Sequence, residues 1–156
     1  MSTMRSDSLV QREAEALIRA KVAEEIGAQL EPRTVKLPGG ATMQLDGVAG
    51  EPGAETVFVE IFAHQGEMKG GQKRKVGQDA FKLVTLGRLR PGARLVLALA
   101  DDGLPLSYAK QKTWFAEAVE AWGIQVVVVD ISSGEREKIR AAQKTQEMVN
   151  PGETEL

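Results

Sequence analysis

Apolar positions recur at helical spacing near the start of the chain, where Val10, Ala14, Leu17, Ile18, Val22 and Ile26 share one face over residues 8–27. Ser6, Asp7 or Ser8 stands where an N-cap belongs, and Gly27 where a helix stops. The pattern then changes period. TVKLPGGATMQLDGVAG reads as two strands joined at Pro38-Gly39-Gly40, because paired glycines accept the positive φ of a tight turn. After the break GEPGAE, the stretch ETVFVEIFA alternates, with Val57, Val59 and Ile61 on one face and Phe58, Glu60 and Phe62 on the other. Glu60 is the odd member of an otherwise apolar strand.

Beyond the polar loop HQGEMKGG, Val76, Ala80, Leu83 and Val84 predict a second helix from Gln72 to about Gly87. Arg94 to Ala100 reads as a fourth strand. A helix over Ser107 to Trp122, a strand over Ile124 to Asp130 and a charged helix over Gly134 to Met148 complete the chain, before the tail NPGETEL. Three consecutive strands exclude a simple alternating βα chain, and the later strand-helix-strand unit requires a parallel crossover. The expected fold is therefore α/β: a mixed sheet flanked by helices, in the order αβββαβ followed by αβα.

With 156 residues, 42% of them apolar, the chain suits one core, which predicts a single domain over residues 1–150 and a loose tail over 151–156. The absence of cysteine excludes disulfides and thiolate zinc sites, and one histidine, His64, excludes multi-histidine centres. The polar start MSTMRSDSLVQ lacks the apolar core of a secretory signal, and the longest apolar runs, LVLALA and VVVV, are strand-sized. A cytoplasmic protein with no membrane association is the expectation.

Net charge is −2, but its distribution is uneven. Lys69, Lys73, Arg74, Lys75, Lys82, Arg88, Arg90 and Arg94 stand against one acid, Asp79, while both ends of the chain are rich in glutamate. A basic middle predicts a local surface for anions, with the alternative of an ordinary solvated helix face. The expected partner is nucleic acid, DNA first, through Lys69, Arg74 and Lys75; a protein partner and a homodimer remain as alternatives.

Burying Glu60 requires a cation, a hydrogen-bond donor or a metal ion. Asp46, in LDG on the preceding strand, is either a turn residue or a second carboxylate converging on the same ion, since adjacent strands lie about 4.8 Å apart. Oxygen ligation of that kind suits Mg²⁺ or Mn²⁺. Asp101-Asp102-Gly103 is better explained as a turn after the fourth strand, and Trp114 and Trp122 as core or subunit contacts.

This helix, three-strand meander with an Asp on the second strand and a Glu on the third, helix and strand resemble the core of the PD-(D/E)XK nuclease superfamily over residues 10–100. The resemblance implies a restriction-endonuclease-like fold and metal-dependent phosphodiester hydrolysis of DNA. Asp46 and Glu60 would then be the metal-binding acids, thirteen residues lying between them, and the motif lysine would fall where this chain has Phe62. Some superfamily members draw that lysine from the second helix, where Lys73, with Gln72 beside it, is the candidate. The resemblance also implies a carboxylate from the first helix, for which Glu13 is the first choice and Glu24 the second. His64 shares the side of Glu60 and reads as structural. Two non-enzymatic alternatives stand beside the nuclease: a catalytically silent relative that binds nucleic acid or protein, and an unrelated α/β interaction protein in which Lys73 pairs with a buried Glu60.

Overall fold

A computed structural model describes residues 3–63, 70–100 and 112–149. The chain runs α1 (Thr3–Ile26), β1 (Glu31–Lys36), β2 (Thr42–Glu51), β3 (Ala54–Phe62), α2 (Gly70–Leu89), β4 (Arg94–Ala100), α3 (Trp114–Ala121), β5 (Ile124–Val129) and α4 (Ser133–Val149). The five strands form one sheet in sequential order, β1 to β3 antiparallel and β3 to β5 parallel. This is the expected mixed α/β architecture, a central sheet flanked by helices.

Alternation along the strands divides the core in two. Phe58, Phe62, Leu95, Leu97 and Leu99 point to one face, where they meet Val76, Leu83 and Leu86 of α2 and Phe115 and Val119 of α3. Val57, Val59, Ile61, Val96 and Ala98 point to the other, against Ile18 and Val22 of α1 and Ile139 of α4. Central strands buried on both faces need the continuous apolar runs seen in β3 and β4. α2 lies close on β4 because Gly87 has no side chain: a Cβ there would come within 2.7 Å of Leu95 Cδ1. α1 is tied to the C-terminal helix by Lys21, which contacts Glu135 at 3.3 Å and donates to the Asp130 carbonyl at 2.9 Å.

The β1–β2 connection is the predicted hairpin, with Gly40 at φ +94° and Leu37 N–H donating to the Ala41 carbonyl at 2.8 Å. α1 begins earlier than expected, so Ser6, Asp7 and Ser8 fall inside it. α3 begins at Trp114, with Thr113 as its N-cap accepting from Ala116 N–H at 3.0 Å. Phe115 and Val119 are buried, whereas Trp114 and Trp122 are 75% and 67% exposed, so neither tryptophan belongs to the core. Asp101-Asp102-Gly103 and His64 lie outside the described residues. No helix among the described residues is long and apolar enough to cross a membrane.

Candidate functional site

The strands β2 and β3 part company at Asp46 and Glu60. Their ladder ends at the pair Gly47–Val59; beyond it β2 continues beside β1 alone, and Glu60, Ile61 and Phe62 continue beside β4. A bulge in β2 sets the fork. Glu31 pairs with Val48 and Arg33 with Leu45, so Asp46 and Gly47 together face the single Pro32. Proline has no N–H to give to a regular ladder. The extra residue turns Leu45 and Val48 to the same face, both into the cluster under α2.

Side chains replace the missing ladder bonds. Asp46 N–H donates to Glu60 Oε1 at 3.0 Å, and Ile61 N–H donates to Asp46 Oδ2 at 2.8 Å. Each carboxylate thus satisfies a backbone donor on the opposite branch. Both flanking helices then clamp the fork. From α2, Lys82 Nζ donates to Glu60 Oε2 at 3.2 Å and to the Gln44 carbonyl at 2.9 Å, touching both branches. From α1, Arg19 Nε donates to the Asp46 carbonyl at 2.6 Å. Asp79, 2% exposed, pairs with Lys75 at 3.3 Å.

The electrostatics follow from this crowding. Glu60, 1% exposed, has its pKa raised to about 8, first by burial and then by the charges of Asp46 and Asp79. Burial and the neighbouring charges favour the neutral form of Glu60, and its hydrogen bonding with Asp79 raises Glu60 further while working against the rise of Asp79. Asp79 is itself raised by burial, although Lys75 opposes the shift. Glu15 of α1 is raised by burial and by Asp46. Burial works against the charge of Lys75, but Asp79, Asp46 and Glu60 outweigh it and raise its pKa.

Asp46 and Glu60 are therefore brought together as expected, but as a hydrogen-bonded brace. Among the described residues no group of three or more His, Cys, Asp or Glu side chains could hold a metal ion, which corrects the expected Mg²⁺ or Mn²⁺ site and, with it, the expected nuclease activity. Glu13 and Glu24 are exposed; Glu15 is the α1 carboxylate near Asp46. Lys73 is exposed, and the cation on Glu60 is Lys82. Gln72 is half-buried at the start of the inward face, Arg74 is exposed, and Lys75 is committed to Asp79. Lys69 lies outside the described residues.

Sequence reasoning missed Lys82, Asp79, Glu15 and Arg19. Two of these, Asp79 and Lys82, carried a readable signal: α2 has one acid, Asp79, with lysines four residues before it and three after it, at the spacing that brings helical side chains together.

No family model and no curated protein matches the chain. Among solved structures it is similar to an fdxN element excision controlling factor protein from Anabaena variabilis, with 16% identity over 79% of this chain and 94% of that one, at a TM-score of 0.54. A likeness at that identity is one of fold. With no family model matching and no metal cluster among the described residues, the resemblance to PD-(D/E)XK nucleases does not extend to membership of that superfamily.

Proposed function

We propose that the chain is a non-catalytic binding module that takes nucleic acid on the solvent face of α2. The arrangement of α1, the β1–β3 meander, α2 and β4 is broadly consistent with a restriction-endonuclease-like fold. Its two fork acids serve the fold instead of a metal. The observation that carries the binding reading is the charge of α2: its one acid, Asp79, is buried, so its solvent face presents cations with no carboxylate among them.

The same geometry reduces the basic patch from its size in the sequence. Lys75 and Lys82 are paired to buried acids, Arg90 to Glu55 at 2.7 Å, and Arg94 donates to the Ile26 carbonyl and to Gln125. Arg74 and Arg88 remain exposed on α2, as does Lys73 at the same end as Arg74. Few phosphate contacts and a net charge of −2 predict weak binding that depends steeply on salt.

A titration of labelled DNA at several salt concentrations tests this. The Arg74→Ala, Arg88→Ala double variant is expected to bind more weakly, with the slope of log affinity against log salt reduced by about 1.5, the loss of two phosphate contacts. Equal affinity and slope in both proteins would remove α2 as the interface.

A further inference from the structure

We propose that this face of α2 selects single-stranded nucleic acid, with Phe81 as a stacking platform for a base and Arg74 and Arg88 holding the backbone on either side. The inference rests on the nucleic-acid reading above and adds the form of the ligand. Phe81 is 73% exposed on a helix that buries Val76, Leu83 and Leu86. Exposing a phenyl ring of this size to water is unfavourable unless something covers it. Arg74, Phe81 and Arg88 follow one another at a spacing of seven positions, so the three form one nearly straight row with steps of about 10 Å. Arg74 and Arg88 are both exposed.

Gly77 lies one turn before Phe81. Glycine inside a helix costs about 0.5–1 kcal/mol relative to alanine. At Gly87 the close approach of Leu95 accounts for it, but a Cβ at Gly77 would meet nothing within 4 Å. Packing among the described residues therefore gives no reason for this glycine. A Cβ there would not reach the Phe81 ring either, so the exposure of the ring does not depend on this glycine.

A planar, apolar face between two guanidinium groups matches an unpaired base between phosphates. Stacking tolerates any base, and the cations track the backbone. In a duplex each base face is already covered by its neighbours, and the ring could reach one only by unstacking the helix.

Anisotropy titrations of the full chain with an oligothymidylate, a duplex of equal length and polyglutamate decide the matter. Wild type is expected to prefer the oligothymidylate. Phe81→Ala should weaken that complex by about 5- to 100-fold, the range for loss of one stacked base. Phe81→Trp should retain it. The melting curve and the weaker duplex binding should be unchanged by either substitution, because the ring makes no part of the core. Unaltered oligothymidylate affinity in Phe81→Ala, or a preference for duplex or polyglutamate, would overturn the proposal. If Phe81→Ala has no effect while Arg74→Ala, Arg88→Ala does, the stacking role falls and the nucleic-acid reading stands. If wild type binds neither strand form, both fall.

Discussion

The urea midpoint of the wild-type protein should fall as the pH rises from about 5 to about 8, and most of that fall should be absent in Glu60→Gln. Glu60 has a folded-state pKa of about 8 against an ordinary value of 4.5. Between those values the folded state holds a proton that the unfolded chain has released, so raising the pH favours unfolding throughout the window. Below it both states are protonated, and above it neither is. Asp79 and Glu15, also raised, act in the same direction and account for the residual slope. Glu55 and Glu135 are lowered, so their stabilisation is complete above the ordinary carboxylate range. Lys75 titrates above the window.

One pKa unit is worth about 1.4 kcal/mol, which makes the effect of Glu60 a few kcal/mol. Glutamine keeps the neutral form, with an oxygen for Asp46 N–H and an amide for Asp79. It gives up the bond to Lys82, at a cost of about 1 kcal/mol that does not vary with pH. His64 is common to both proteins, so the difference between their slopes isolates Glu60. Parallel slopes would show that Glu60 is charged in the folded state at neutral pH, contrary to its burial.

Phe58→Ala should cost about 3–5 kcal/mol and also flatten the same pH slope. Phe58 is fully buried, pairs across the sheet with Val48, and sits on the same face of β3 as Glu60 and Phe62. Removing the ring forfeits its burial and opens a cavity beside the carboxyl group. Water admitted there stabilises the charged form, and the pKa of Glu60 returns toward the ordinary range. Denaturant midpoints at the two pH values read both effects. A large loss of stability with an unchanged slope would mean that the acids around Glu60, rather than its apolar walls, hold the proton.

Much of this arrangement was legible in the residues. The alternation that placed Glu60 with Phe58 and Phe62 on the opposite face from Val57, Val59 and Ile61 is the one the fold adopts. The bounds of β4 were legible because an apolar run ends at a pair of aspartates. The phase of α2 was not. Counting Ala80 and Val84 as inward residues centres the apolar stripe near Val76 and Ala80, whereas the helix buries Val76, Asp79, Leu83 and Leu86. That rotation, roughly 60° at about 100° per residue, carries Lys73 outward and brings Lys75 and Lys82 to the fork. An acid scored as polar hid the true centre of the stripe. The same happened on α1, where Glu15 and Arg19, not Glu13, flank Ile18 on the side of Asp46. The bulge against Pro32 depends on strand register between distant residues, which no local pattern specifies.

The paired acids, the feature most suggestive of a nuclease, thus have a different explanation. Asp46 and Glu60 stand opposite one another because two diverging strands leave backbone N–H groups that need acceptors. The measurement that tests this most directly is the melting temperature of the wild-type protein with and without millimolar Mn²⁺. A metal held by the native state alone raises the melting temperature by mass action. No shift is expected, since these carboxylates are engaged with Ile61, Asp46 and Lys82. A clear rise on adding Mn²⁺ that disappears in Glu60→Gln would contradict it.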